Sequence, residues 1–248
     1  MVIDIDPIAF SIGPLSIYWY GILMAVTFVT GYTAVRYLAL HHGMPVAAVD
    51  DVMFKGAITI FVGARLGVVV TNLPYYLANP LEIVARPGLG SHGAVIAVMI
   101  VGWFLVRRAG LSYWRMADAA AILFPIGHIF IRLGNFINGE LYGSPTSAAW
   151  GVQFRTTAQA VHPVQLYEAG FALLFLPLAW YWAKNAAYPG YAFFRIVLVH
   201  SLLRLGLDSL RQHTSTIGPF VLTQWLAILL AVFCAIMIVY KEKNPARA

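Results

Sequence analysis

The sequence predicts an all-α membrane protein with about seven transmembrane helices and a small outer cap. Of its 248 residues, 60% are hydrophobic and only 10% are charged, whereas soluble domains carry roughly 25% charged residues. Apolar runs close to the ~20 residues that cross a bilayer recur along the chain. These observations exclude a water-soluble globule, and we expect a single polytopic membrane domain over residues 1–248.

Seven apolar runs define the expected spans in chain order. They cover residues 15–38, 54–72, 92–106, 117–134, 164–183, 191–210 and 218–240. Residues 73–91 hold three prolines and two glycines, so this segment is predicted to be irregular and without a helix. Residues 139–163 form the only sizeable polar insertion, which predicts a small outer cap of turns or strands.

The basic residues predict the orientation of the chain. Ten of the 16 Lys and Arg residues, including every lysine, fall on one side of the expected spans. Basic residues beside spans are retained in the cytoplasm, so we expect the N-terminus outside and the C-terminus inside. The other side carries only arginines, whose planar guanidinium suits bidentate phosphate binding. They are Arg65, Arg86, Arg132, Arg155, Arg204 and Arg211. Ordinary loop charge is the expected explanation for Arg86, and both explanations stay open for Arg155.

Charge and cysteine content limit the chemistry. The net charge of +6 is spread singly between apolar spans, which favours anionic membrane lipid over nucleic acid as a partner. The one cysteine, Cys234, lies in the last apolar run, so disulfides and cysteine-based metal sites within the chain are excluded. Thiol chemistry would therefore use the thiol of another molecule. Hydrolase and metal-binding motifs are absent from the sequence, and we expect neither a metal nor a cofactor.

A polar stripe crosses the fourth expected span. His128, Arg132 and Asn135 stand at i, i+4 and i+7, which places them on one helical face. A charge at the bilayer centre costs ~2.5 to 3.5 kcal/mol, so Arg132 needs a polar partner or an anionic ligand. An alternative is an internal pair between Arg132 and Glu140 that joins two helices. Nearby glycines are expected to break the helix and let the backbone approach a ligand. They are Gly134, Gly139 and Gly143.

A second stripe lies in the sixth expected span. His200, Arg204, Asp208 and Arg211 stand at i, i+4, i+8 and i+11, again on one face. Two arginines around one aspartate leave a net positive group that a lipid phosphate would complete. The alternative is a helix pair between Arg204 and Asp208, with Arg211 reaching out to the membrane interface.

Four further polar residues stand out on weaker grounds. His92 begins the third expected span and is a proton acceptor near neutral pH or a helix cap. Gln165 and Glu168 share a face at the start of the fifth span, where we expect hydrogen bonds between helices rather than chemistry. Tyr20 follows an aromatic belt and is a possible polar contact deeper in the first span.

The chain resembles the bacterial prolipoprotein diacylglyceryl transferases in the segment Arg132-Leu-Gly-Asn-Phe-Ile-Asn-Gly-Glu140, whose signature runs on to Gly143. The likeness extends over nearly the whole chain. Its other segments are Phe10 to Pro14, Trp19 to Gly21, Gly63 to Gly67, Ser91 to Gly93 and His162 to Glu168. The resemblance implies seven spans in the bacterial cytoplasmic membrane, with the N-terminus outside. It implies transfer of the diacylglyceryl group of phosphatidylglycerol to the lipobox cysteine thiol of a preprolipoprotein, with release of glycerol 1-phosphate.

The same resemblance implies roles for individual residues. Arg132 and Arg204 match phosphate-contacting arginines, and His92 matches an essential histidine. Together with His200, they are the expected catalytic residues, and either histidine could serve as the base. The expected substrate-binding residues are Tyr20, Asn135, Asn138, Glu140, Gly143, Asp208 and Arg211.

The chain departs from the family pattern at four places. His-Gly-Gly reads His92-Gly93-Ala94, His200 stands where tyrosine is expected, Asp208 replaces a glutamate, and the cap is shorter. Two alternatives follow from these changes. One is a divergent paralogue that uses the same donor lipid with another acceptor. The other is a non-catalytic membrane protein that binds lipid or lipoprotein.

Overall fold

The computed structural model describes residues 2–86, 88, 90–211 and 218–244. The chain divides into two units, Met1–Leu38 with Ala117–Ala248, and Ala39–Met116. Its strands are β1 (Ile8–Ile12) and β2 (Leu15–Tyr18). Its helices are α1 (Trp19–His41), α2 (Val46–Thr71), α3 (Leu73–Ala78), α4 (Glu82–Ala85), α5 (Ser91–Arg108), α6 (Tyr113–Ala120), α7 (Leu123–Ile137), α8 (Val164–Lys184), α9 (Tyr191–Asp208) and α10 (Leu222–Lys243).

The described part of the chain is mostly helical, as the sequence predicts. Five helical segments in it are long and apolar enough to cross a membrane. They are α1, α2, the stretch Tyr113–Ile137 that combines α6 and α7, α8 and α10. The third and sixth expected spans coincide with α5 and α9. The fourth, expected over 117–134, consists of two helices that meet at a two-residue turn.

A β-hairpin precedes the first membrane helix, and the sequence prediction missed it. β1 and β2 pair antiparallel around a turn in which Gly13 has a φ of +59°. This left-handed conformation is open to glycine without steric cost. The helix therefore begins at Trp19, four residues later than the expected start at residue 15.

In the unit Ala39–Met116, α2 packs along α5 at a crossing of glycines. A Cβ atom on Gly93 would stand 2.3 Å from the carbonyl oxygen of Gly63 and 2.6 Å from the Cα of Gly67. Both neighbours are backbone atoms that no rotamer change can move. Glycine at these positions lets the two helix backbones approach each other closely.

The segment expected to be irregular contains two short helices, α3 and α4, so the prediction for residues 73–91 was wrong in part. Pro74 lies in the first turn of α3, where a missing N–H costs nothing. Arg65 on α2 holds α4 and the following turn by donating to three carbonyl oxygens: Nε to Ile83 at 2.6 Å, Nη2 to Glu82 at 2.5 Å and Nη1 to Gly88 at 3.1 Å. The Arg65 guanidinium therefore stabilises this segment through backbone contacts, and these contacts do not support the phosphate-binding role expected for it.

In the other unit, α7 packs on α8, α8 on α9, and α9 on α10. Asp118 on α6 fixes the start of α9 and is fully buried. Its carboxylate accepts hydrogen bonds from the backbone N–H groups of Gly190, Ala192 and Phe193 at 2.8 to 2.9 Å. These donors have no partner within their own helix, so a carboxylate from another helix satisfies them.

Residues 139–163 form a compact insertion of turns and isolated bridges, as expected for the cap segment. Val161 bridges both Pro145 and Val152, and the buried side chains of Val152, Phe154 and Val161 form its small core. The N-terminal segment is tied to it, because the N–H of Ile3 donates to the carbonyl oxygen of Gln153 at 2.9 Å. In the same segment, Arg155 pairs with Asp4 on the surface. Arg86 likewise pairs with Glu82, at 3.8 Å.

Candidate active site

The stripe on α7 contains a chain of polar contacts. Arg132 Nη1 donates to Asn135 Oδ1 at 3.1 Å, and Asn135 Nδ2 donates to Glu140 Oε1 at 2.9 Å. Asn138 Nδ2 donates to the same carboxylate oxygen at 3.2 Å. Glu140 lies just beyond the helix end, where Gln165 Nε2 on α8 donates to its carbonyl oxygen at 2.6 Å. The signature polar residues thus form one network that joins α7 to α8.

The ion-pair partner of Arg132 is Glu168 on α8. The alternative considered from the sequence, a direct pair with Glu140, is not formed, because Asn135 lies between the two groups. The Glu168 side chain is only 3% exposed and pairs with Arg132. Its Oε1 also lies 2.8 Å from Arg211 Nη2 and 3.7 Å from Arg204 Nη1. One buried carboxylate therefore gathers arginines from α7 and α9 and from the residues that follow α9.

The stripe on α9 is tied to the same group. Arg204 Nε lies 3.1 Å and Arg211 Nε 3.6 Å from Asp208 Oδ1. Thr223 on α10 donates its hydroxyl to Asp208 Oδ2 at 2.9 Å. The Arg204 to Asp208 pair considered from the sequence exists. Arg211 does not reach out to the interface, because its side chain is 11% exposed and faces Glu168.

We call Arg132, Arg204, Arg211, Glu168 and Asp208 the arginine cluster. It joins three guanidinium groups to two carboxylates, so one positive charge is left over. Arg204 is the most exposed of the three arginines, at 26%. A guanidinium carries five N–H donors, more than these ion pairs occupy. The arrangement can therefore bind an anion through oriented donors that are already held in place.

The glycines of the signature have packing roles. The helix α7 runs through Gly134 and ends at Ile137, so the expected break comes at Gly139, which has a φ of +67°, and not at Gly134. A Cβ there would lie 2.8 Å from the ring of Tyr20, and glycine lets that ring approach the helix. Gly143 donates its N–H to the carbonyl oxygen of His162 at 2.8 Å and has no room for a side chain.

His200 lies beside His128, with ring centroids 4.7 Å apart, and beside Phe124 at 5.3 Å. The two histidines line a small cleft with Phe171, Phe175 and other apolar side chains. Each histidine stands one helical turn before an arginine of the cluster. The cleft is therefore next to the arginines on both α7 and α9.

His92 belongs to the other unit, where it lies exposed in the first turn of α5. Its neighbour Gly93 is the residue at the close crossing with α2. For metal binding, the described residues offer no group of three or more His, Cys, Asp or Glu side chains.

Glu168, the centre of the site, was not predicted as a site residue from the sequence. The sequence does indicate it, because Glu168 lies in an apolar span, where a carboxylate needs a charged partner just as an arginine does. The contact of Thr223 with Asp208 is not indicated by the sequence, since the hydroxyl of a threonine in a membrane helix ordinarily donates a hydrogen bond to a carbonyl oxygen of its own helix.

Comparison with known proteins decides the family. The family profile described as prolipoprotein diacylglyceryl transferase matches residues 7–240. The chain belongs to this family. The resemblance seen in the sequence motifs is thus confirmed, and the chain is a transferase of lipoprotein biosynthesis.

Relatives match nearly the full length. The chain is 34% identical to the phosphatidylglycerol–prolipoprotein diacylglyceryl transferase of Bordetella parapertussis, over 98% of both chains. It is 36% identical to the protein of the same name from Solidesulfovibrio magneticus, over 90% of this chain and 87% of the relative. The relative of that name from Geobacter sulfurreducens is 33% identical, over 97% of this chain and 98% of its own. Family membership therefore rests on the whole chain rather than on one motif.

Proposed function

We propose that this chain transfers the diacylglyceryl group of phosphatidylglycerol to the lipobox cysteine thiol of a preprolipoprotein and releases glycerol 1-phosphate. The observation that carries this proposal is the arginine cluster, which holds an excess positive charge among the helices α7 to α10. Charge buried in an apolar environment requires an ionic partner, and a lipid phosphate supplies one. The names of the relatives state the same donor lipid and a prolipoprotein acceptor.

The proposed step is a displacement at carbon. The acceptor sulfur attacks the carbon of the diacylglyceryl group that is esterified to the phosphate. A C–S bond forms, and the bond between that carbon and the phosphate oxygen breaks. The donor is a phosphodiester with one negative charge, and the departing phosphomonoester develops a second. Arg132 and Arg204 would stabilise this developing charge, because donors already oriented in a site of low dielectric constant need no reorganisation.

The thiol must lose its proton in this step. A thiolate is the reactive form of cysteine, and a free thiol has a pKa near ~8.5, so a base raises the reactive fraction. We assign this role to His92, which matches the essential histidine of the family pattern and whose imidazole is exposed. His200 packs against two rings, and we assign it to lining the cleft. Tyr20, like His200, would then shape the lipid site rather than take the proton.

The remaining signature residues are assigned to positioning. Asn135, Asn138 and Glu140 form the network that fixes Arg132. Asp208 and Arg211 would hold Arg204 and Glu168 in the same way. We assign Gly143 to the contact between the cap and the end of α9, since its flanking residue Ser144 donates its N–H to the carbonyl oxygen of Leu210 at 2.7 Å.

We propose that the chain is a single membrane domain with seven spans in the bacterial cytoplasmic membrane. The N-terminus and the cap 139–163 would lie outside. Two observations support this topology: α5 and α9 coincide with two expected spans, and no lysine lies on the proposed outer side. Labelling of single cysteines at Lys184 and Lys241 tests it. Both should react from the cytoplasmic side, and reaction from opposite sides would exclude the topology.

A transfer assay tests the function. The purified protein is mixed with phosphatidylglycerol labelled in its acyl chains and with a peptide that carries a lipobox cysteine. We expect label on the peptide, loss of this product when the peptide cysteine is replaced by serine, and release of glycerol phosphate. Lipid consumption without peptide labelling would favour the divergent paralogue. Lipid binding without turnover would favour the non-catalytic protein.

Variants link the assay to the structure. Arg132→Ala should abolish transfer while the protein still inserts. Arg195→Ala is the matched control, because Arg195 has the same exposed fraction of 15% and also pairs with a glutamate, but it lies at the start of α9, outside the arginine cluster. Equal loss of transfer in both variants would mean that the arginines act through folding alone.

A further inference from the structure

The N-terminal hairpin has two chemically different faces. Its cross-strand pairs are Phe10 with Ile17, Ser11 with Ser16, and Ile12 with Leu15. Side chains of successive residues in a strand point to opposite faces. The first and third pairs therefore share one apolar face, and the two serines lie on the other, with their Oγ atoms 3.2 Å apart.

The apolar face is largely uncovered by the protein. Phe10, Ile12 and Leu15 are 51%, 66% and 60% exposed. An isolated two-stranded hairpin is at best marginally stable in water, and an exposed apolar strand pair without charges would invite pairing with other chains. The hairpin therefore needs a surface against its apolar face.

Continuity with the membrane identifies that surface. β2 runs directly into Trp19, the first residue of α1, which is long and apolar enough to cross the bilayer. Residues 7–35 contain no Lys, Arg, Asp or Glu. Tyr18 and Trp19 are exposed at the junction, as is typical of aromatic residues at the level of lipid headgroups. The hairpin thus starts at the membrane interface.

We propose that the hairpin lies on the bilayer with the face formed by Phe10, Ile12, Leu15 and Ile17 in contact with lipid. The serine face and the strand edges stay at the headgroups and water, because unpaired backbone groups are not tolerated in the hydrocarbon. The hairpin is then a lateral anchor for the start of α1. It sets the depth of Tyr20, whose ring packs on Gly134 beside Asn135.

Spin labels on the two faces test this proposal. The one cysteine in the sequence is replaced by Cys234→Ala, and nitroxides are attached at Ile12→Cys and at Ser11→Cys, its neighbour on the other face. The protein is placed in phosphatidylcholine vesicles, so the result does not depend on the donor lipid or on turnover. Collision rates are measured with oxygen, which concentrates in lipid, and with a nickel chelate, which stays in water.

We expect the ratio of oxygen to nickel collisions to be several-fold higher at residue 12 than at residue 11. Leu15→Cys and Ser16→Cys repeat the comparison on β2, so a labelled variant that does not fold leaves an independent pair. Equal ratios on both faces would overturn the proposal. Low collision rates with both reagents at residues 12 and 15 would also overturn it, since the face would then be covered by protein, such as a second copy of the chain.

Discussion

Replacing Glu168 by glutamine tests whether one carboxylate holds the arginine cluster together. The side chain is 3% exposed and lies 2.8 Å from Arg211 and 3.7 Å from Arg204, in addition to its pair with Arg132. The amide keeps the shape but removes the charge, so Asp208 alone would offset three guanidinium groups. Removal of one partner from a buried ion pair costs about 3–5 kcal/mol. Since Asp208 and the amide oxygen remain, we expect about 3 kcal/mol, the lower end of that range.

The measurement is the free energy of unfolding in a mild detergent, within a double-mutant cycle. Glu168→Gln, Arg132→Gln and the double variant are compared, and we expect a coupling of about 1–3 kcal/mol between the two sites. Glu242→Gln is the control. It removes a carboxylate from Arg195, but Glu242 is 53% exposed, and a solvent-exposed pair contributes only about 0–1 kcal/mol.

Two results would refute this reasoning. In the first, Glu168→Gln destabilises the protein no more than Glu242→Gln. In the second, the losses of unfolding free energy in Glu168→Gln and Arg132→Gln sum to the loss in the double variant, so the two sites are not coupled. Either would show that the Glu168 carboxylate does not hold the arginines. Their placement would then depend on Asp208 and on helix packing.

Three further predictions follow from the contacts of single residues. Arg132→Lys should lose most of the transfer activity, because an ammonium cannot reproduce the guanidinium fork, whereas Arg195→Lys should keep it; full activity of the first variant would show that a point charge suffices. Asp118→Ala should lower the free energy of unfolding by about 3 kcal/mol, because it takes the carboxylate from three backbone N–H donors and each loss counts at the lower end of about 1–3 kcal/mol. Asp6→Ala, which removes an exposed contact to one N–H, is the control, and equal losses would contradict the capping role. His200→Tyr should leave the pH dependence of transfer unchanged, since His200 is assigned to packing; a shifted profile would identify it as the base.

The five helical segments that are long and apolar enough to cross a membrane were predictable because each is set by its own composition. An apolar run of about 20 residues identifies a membrane helix whatever it packs against, and the arginine stripes followed from helical spacing alone. The hairpin was not predictable in this way. Residues 15–18 are as apolar as the helix that follows them, and hydropathy does not distinguish a short apolar strand from the first turn of a span.

The partners within the site were harder to predict than its members. Helical spacing shows which side chains share a face of one helix, so the sequence predicts that Arg132 lies beside Asn135 and that Arg204 lies beside Asp208. It does not show which faces of different helices pack together. Glu168 reaches Arg132 and Arg204 from a third helix, and only the packing of α8 between α7 and α9 brings them together. A more general rule would have predicted that Glu168 pairs with an arginine. Each carboxylate in an apolar span has to be assigned a cationic partner, because an unpaired carboxylate or guanidinium in the bilayer is costly.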